Sequence, residues 1–285
     1  MPSNMPAAVC SRDVTAVNRE FYDALWSRAR FHRAEDFNTW SLVAELLPSS
    51  PERLELGPGL SPRLPLAGTH FVDLSAPVVE RLTSLGGFAV LGEITALPFR
   101  AGSFDLVAAF DVIEHVENER RVFGELRRVL KPGGHLILSV PLHAARWTEF
   151  DELVGHARRY EVAELRAILA DHQLTVEKSA GFGMRPTNPW LLQVSMRLLN
   201  RYRVIAMRCY NWVFMPLGLI FQKRLRFLPG WIDAAGADGI VLVCRRGIDE
   251  GIGSRAGTGH VLASTSDTSL RNQTASESVL SSDGQ

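Results

Sequence analysis

From Arg53 onward two periodicities alternate along the chain. Short apolar runs at 53–56, 70–74, 88–93, 104–111 and 134–141 are separated by stretches whose apolar residues return at helical spacing. Strand-length apolar segments joined through amphipathic helices are the mark of βαβ units, so the pattern predicts an α/β fold around a mostly parallel sheet flanked by helices. Two later runs, 174–180 and 239–245, bring the expected strand count to seven.

The connecting segments carry their own signals. Val122, Leu126, Val129 and Leu130 share one helical face, and Lys131-Pro132-Gly133-Gly134 stops that helix. Leu165, Ile168 and Leu169 repeat the pattern within 161–172. Ser75 is a candidate N-cap with Pro77 in the first turn, where a missing N–H costs nothing. Ahead of the sheet, 14–33 reads as a cap helix with Phe21, Leu25 and Trp26 at helical spacing. Residues 1–13 read as a loose leader without an apolar signal core. Beyond Gly247 the chain turns to Ser, Thr, Gly and Asn with no aromatic residue, and reads as disordered. The expected domain therefore runs from 14 to 246, with an insertion at about 184–236 before the last strand.

Charge divides unevenly. Lys plus Arg and Asp plus Glu both total 31, so no global charge points to nucleic acid. Between Met184 and Ile232, however, stand eight basic residues and no acid, which leaves the rest of the chain acidic. A basic stretch on an acidic body suits an anionic partner. The same stretch holds Trp212 to Phe221, an apolar run with Lys223 and Arg224 at its flank. Such a run can lie in a membrane interface, cap an apolar substrate or form a dimer face. It is too short to span a bilayer, which takes roughly 20 residues. Three scattered cysteines fit a reducing compartment. The expected location is the cytoplasm, at the periphery of an inner membrane face where the basic stretch makes contact.

The chemistry concentrates at the ends of the expected strands. Leu54-Glu55-Leu56-Gly57-Pro58-Gly59 closes the first in glycines, which let backbone N–H groups approach a ligand without side-chain clash. A tight turn without a ligand would use the same residues. Asp73 ends the next strand, where a carboxylate can accept both ribose hydroxyls of a nucleoside or cap the following helix. Glu93 ends the third. Phe104-Asp105-Leu106-Val107 leads to Asp111-Val112-Ile113-Glu114-His115 at the end of the fourth. A nicotinamide-cofactor oxidoreductase would share the glycine turn, but not the missing third glycine and the acid at the third tip.

Taken in order, these five motifs and Leu126-Arg127-Arg128-Val129-Leu130-Lys131-Pro132-Gly133-Gly134 resemble class I S-adenosylmethionine-dependent methyltransferases, in particular the type 11, UbiE/UbiG-like group. The resemblance runs from about Phe21 to Arg245 and is most specific from Glu55 to Pro141. It implies a Rossmann-like fold, S-adenosyl-L-methionine as cofactor, and a small-molecule or lipid-like methyl acceptor, with oxygen favoured over carbon or nitrogen. By position it implies that Glu55, Gly57 and Gly59 shape the methionine site. Asp73 would hold the ribose with Leu74 against the adenine, Glu93 would approach the adenine amino group with Ile94 on the ring, and Asp111 would sit beside the reacting methyl. His115 is the candidate base for a hydroxyl acceptor; alternatively Glu114 and His115 organise the following helix. His143, Trp147, His156, Arg159 and Tyr160 fall in the region that faces the acceptor in this family. No metal is assigned, although Asp111-x-x-Glu114-His115 is also similar to the metal motif of small-RNA 2′-O-methyltransferases. Ser61 stands where the third glycine is usual, and Pro62 and Pro65 follow, so the helix after the first strand is expected to be cut down or replaced by a turn. A non-catalytic protein that keeps the fold to bind a partner or membrane is the remaining alternative.

Overall fold

The structure is a computed structural model that describes residues 22–26, 29–182, 197 and 201–248. The chain divides after Asp249 into two units, and the described residues belong to the first. The expected leader and tail lie outside them.

Eight strands form one sheet: β1 (Arg53–Leu56), β2 (Thr69–Asp73), β3 (Phe88–Leu91), β4 (Phe104–Phe110), β5 (Leu130–Pro141), β6 (Leu174–Phe182), β7 (Leu228–Pro229) and β8 (Gly239–Arg246). Their order is β3-β2-β1-β4-β5-β8-β6-β7. The first five pair in parallel, while β8 runs antiparallel between β5 and β6. Seven strands were expected; the eighth is β7, two residues that pair with Lys178 and Ser179 at the sheet edge. A two-residue strand bounded by Pro229 offers no alternating pattern to read.

Both faces of the central strands are covered, as a parallel sheet requires. On β4, Leu106, Ala108 and Phe110 pack with Leu42, Val43 and Leu46 of α1 (Trp40–Leu46). Val107 and Ala109 belong to the opposite core, with Val122, Phe123, Leu126 and Val129 of α3 (Glu119–Val129) and Leu165, Ile168 and Leu169 of α5 (Val162–Asp171). The Asn118 side chain caps α3 by accepting the Arg121 N–H at 3.2 Å. The helix stops at Val129 as its sequence demands, but β5 begins immediately at Leu130 rather than at Gly134.

Between β1 and β2 there is no helix, only turns. In its place the buried Glu55 carboxylate accepts the backbone N–H groups of Arg63 (2.8 Å) and Leu64 (2.8 Å) and pins the loop. Ser75 does precede α2 (Ala76–Ser84), yet its hydroxyl does not cap that helix and instead donates to Asp23. The expected helix at 14–33 is present at 22–26, whereas 29–33 are not helical. There the chain is held by the turn after β1, with the His32 N–H donating to the Leu60 carbonyl at 3.0 Å. Leu25 of the short helix packs with Val154 and Met207, joining α4 (Glu149–Leu153) to α6 (Arg203–Cys209). A π-helical turn, Tyr210–Phe214, leads from α6 into α7 (Met215–Phe221), so the part of the insertion described here is largely helical.

Candidate active site

Strand ends place the site. At the carboxyl edge of β1, β2 and β4 lies a cavity of about 240 Å³. Glu55, Gly57, Asp73, Leu74, Ile94 and Asp111 line it, together with Tyr22 and Trp26 from the N-terminal helix and Tyr210, Asn211 and Met215 from the insertion. Open α/β sheets bind ligands at this edge, where successive strands diverge.

Close packing holds the glycine turn. Gly57 and Gly59 have φ of +58° and +55°, which side chains rarely adopt. A Cβ at Gly57 would lie 2.5 Å from Val112 Cγ2, and one at Gly59 would collide with the Trp26 indole. Val112 and Trp26, which would meet those added carbons, line the same cavity, so the turn has to stay free of side chains of its own where they pack on it.

Asp73 is 9% exposed and faces that turn. Its Oδ2 accepts the Gly59 N–H at 3.1 Å and its Oδ1 the Ser75 N–H at 2.8 Å. Burial pushes its pKa up to about 6, with the amides working in the opposite direction. Two donors leave lone pairs on both oxygens for a ligand's hydroxyls. Burial likewise raises Glu55 to about 7. Asp111 has φ +48°, so the chain reverses at the end of β4 and turns this carboxyl into the cavity. Its Oδ1 accepts the Ser139 hydroxyl at 2.9 Å, and the enclosing protein raises its pKa.

His115 lines the wall beside it. Its Nδ1 lies 3.2 Å from the Gly155 carbonyl and its Nε2 3.2 Å from the Tyr22 hydroxyl. Burial drives its pKa down to about 3, so the ring is neutral near pH 7. Behind it Glu114 is fully buried, both oxygens lack a hydrogen-bond partner, and its pKa is raised well above the usual range by burial and by Asp111. Ligand atoms of Glu114, His115 and His156 lie within 4.8 Å of one another.

Several sequence-derived candidates sit elsewhere. Glu93 is exposed and bonds to its neighbour Thr95, while Gly92 and Ile94 on either side line the cavity. The expected pair of carboxylates around one ligand is thus one carboxylate, Asp73, because the turn after β3 points residue 93 outward. None of His143, Trp147, His156, Arg159 and Tyr160 lines the cavity. Asp151 organises this region: its Oδ1 accepts from Arg159 Nε and contacts His156 Nδ1, both at 2.9 Å, and its Oδ2 accepts the Thr148 N–H at 2.7 Å. Burial opposes ionisation of Asp151, but these bonds overcome it and hold the carboxyl below the usual range. Tyr160 is core, hydrogen-bonded through its N–H to Pro141. His143 contacts the Ala234 carbonyl at 3.0 Å, and Trp147 reaches Glu152. The acid that satisfies Arg159 is internal. The cavity wall opposite the strands is built instead by residues 22–26 and 210–215, whose role no local motif announces; the buried Arg63, from the turn that replaces a helix, also escaped the sequence reading.

Residues 54–138 match the family described as a methyltransferase domain. Over that stretch the chain is similar to a methyltransferase domain. A probable S-adenosylmethionine-dependent methyltransferase of Mycolicibacterium smegmatis is 33% identical over 94 residues, 32% of this chain and 36% of that protein. A tRNA (carboxymethyluridine(34)-5-O)-methyltransferase of Arabidopsis thaliana is 30% identical over 128 residues, 42% of this chain and 31% of that one. The chain spans 22% to 50% of the length of the curated relatives it matches. Among solved structures, a S-adenosylmethionine-dependent methyltransferase of Thermotoga maritima aligns over 82% of this chain and 96% of its own, with TM-score 0.51 and 17% identity. The [4+2]-cyclase SpnF aligns over 87% and 100%, with TM-score 0.53 and 17% identity. These two likenesses concern the fold.

The cofactor of the methyltransferase domain is S-adenosylmethionine, and the lining residues fit it. Asp73 has spare acceptor capacity for ribose hydroxyls, Leu74 and Ile94 supply apolar surface for a base, and Asp111 keeps Oδ2 without a hydrogen-bond partner among the described residues.

Proposed function

We propose that this chain transfers a methyl group from S-adenosylmethionine to the oxygen of a small, lipid-like acceptor. One observation carries the reading: the cavity bounded by the glycine turn and Asp73 is closed on its other side by Tyr210, Asn211 and Met215 of the insertion, so an acceptor has to meet the cofactor against that wall.

When bound, the cofactor supplies a methyl already activated on sulfonium, and alignment of the acceptor in line with it accounts for much of the rate. The protein's part is positional. Asp73 accepts the ribose hydroxyls, Leu74 and Ile94 flank the base, and Asp111 stands beside the amino-acid end. His115 Nε2, now facing the Tyr22 hydroxyl, is the group that receives a hydroxyl proton. An imidazole with a pKa near 3 is too weak to deprotonate an alcohol in advance. It suffices once the O–CH3 bond has begun to form, because the alkylated oxygen is then strongly acidic.

The insertion also supports a lipid-like acceptor. Trp212, Phe214, Leu217, Ile220 and Phe221 are exposed, the last at 77%, and Lys223, Arg224 and Arg226 are exposed beyond them. Aromatic and aliphatic side chains beside unopposed basic groups suit the surface of an anionic membrane. Among the described residues no helix is long and apolar enough to cross one.

The test is transfer of label from methyl-labelled S-adenosylmethionine, incubated with the chain and either a total lipid extract or an aqueous metabolite extract. Label moving into the lipid fraction, and lost with Asp73→Ala, is the expected result. Binding of S-adenosylmethionine without transfer to either extract would favour a non-catalytic role. Binding of NADH in its place would favour an oxidoreductase.

A further inference from the structure

We propose that Arg63 grips the carboxylate of the cofactor's amino-acid tail, with Asp111 taking the α-ammonium group across the cavity. The assignment rests on the cofactor reading above and adds to it a residue outside the motifs.

Arg63 stands in the turn that replaces the helix after β1, its backbone fixed by Glu55. The residue is 7% exposed, its guanidinium lies 3.7 Å from the centroid of the Phe37 ring with Phe110 further off, and it lines the cavity. Among the described residues no carboxylate comes within ion-pair distance of it, and its side chain donates no hydrogen bond. A buried guanidinium with five donors and no acceptor is costly, so it calls for an anion from outside the protein. The nearest charges do not serve. Both oxygens of Glu55 are taken by the Arg63 and Leu64 amides, and Asp111 acts on Arg63 only from beyond contact. Arg30 and His32 line the same cavity; burial and the charges of Arg30 and Arg63 lower the His32 pKa, with Asp36 acting the other way, so the imidazole is no counter-charge for Arg63.

Across from it, Asp111 Oδ2 has no hydrogen-bond partner among the described residues. A cation and an anion that line one cavity without meeting are complementary to an α-amino acid zwitterion, which carries both counter-charges on one carbon. The planar guanidinium, packed over the Phe37 ring, offers the paired donors that a carboxylate accepts in bidentate fashion.

Calorimetry with two nucleosides tests this: S-adenosylhomocysteine and its decarboxylated analogue, identical except for the missing carboxylate. Wild type should bind S-adenosylhomocysteine tighter than the analogue by roughly 10- to 100-fold. Arg63→Gln should erase that preference by weakening S-adenosylhomocysteine and leaving the analogue unchanged, and Arg63→Lys should restore part of it. Equal affinity of wild type for the two nucleosides overturns the proposal even if the variants fail to fold. So does a variant that weakens both alike or neither; the last outcome would assign Arg63 to an acceptor's carboxylate. Wild type that binds neither nucleoside removes the cofactor reading itself, and this assignment with it.

Discussion

Asp73 must be ionised to accept two ribose hydroxyls, yet burial lifts its pKa to about 6. Nucleoside affinity is therefore tied to pH in a definite direction. Above pH 7 the dissociation constant for S-adenosylhomocysteine should be flat, and below about pH 6 it should weaken by roughly tenfold per pH unit as the carboxyl takes up a proton. Asp73→Ala should cost roughly 10- to 100-fold at pH 8 and abolish the acid limb, measured by calorimetry across a pH series. Asp73 was legible in the sequence because an acid at a strand tip beside glycines has few other uses. Glu93 looked equivalent by the same rule and is not, because a single turn decides whether a strand-tip side chain faces the cleft or water. Arg63 could not be read at all: its environment is made by Phe37, Phe110 and Asp111, which are distant in sequence.

Elements were recoverable wherever a period was long enough to count. Strands β1 to β6 and β8 follow apolar runs, and α3 and α5 follow helical spacing, so their residues state their own partners. The loss of a helix after β1 was also readable, from Pro62 and Pro65. Helix α1 and strand β7 were not, since seven residues and two residues carry too little pattern. The insertion shows a different limit. Its composition announced an amphipathic segment, but which side faces the cavity depends on the π turn at Tyr210–Phe214, which brings Asn211 inward to donate to the Leu25 carbonyl at 3.0 Å. With Asn211 inside, Trp212, Val213 and Phe214 face out. If that face meets lipid, the chain should float with vesicles containing anionic phosphatidylglycerol at low salt and be released as salt rises. Replacing Phe214, Ile220 and Phe221 with serine should prevent flotation even at low salt, while Lys223→Gln with Arg224→Gln should shift release to lower salt. Co-flotation that is insensitive to both sets of changes would assign the exposed face to another partner.

At the scale of the molecule, the site burdens the fold with buried acids, and the burden has a sign. In the folded chain Glu55 titrates near 7 and Asp73 near 6, both above their unfolded values, so folding binds protons and stability falls as pH rises through those windows. His115, held neutral down to about 3, acts in the opposite direction and costs stability as pH falls below 6.5. Between pH 4.5 and 7 these two acids, with Asp111 and Glu114 raised in the same direction, outweigh the imidazole, and stability should fall. Thermal melts of the free chain at pH 5, 6, 7 and 8 should show the decline, and Glu55→Gln should flatten much of it. A melting temperature that instead climbs steadily to pH 8 would mean that Glu55 and Asp73 ionise at ordinary values. The indole that packs on the glycine turn has a practical consequence. Trp26 rests against Gly59 and itself lines the cavity, so a nucleoside bound there comes directly against a fluorophore. Read as the difference between the wild type and Trp26→Phe, which subtracts the chain's other five tryptophans, the emission of that ring is an optical gauge of ligand binding that needs no label and no knowledge of the methyl acceptor.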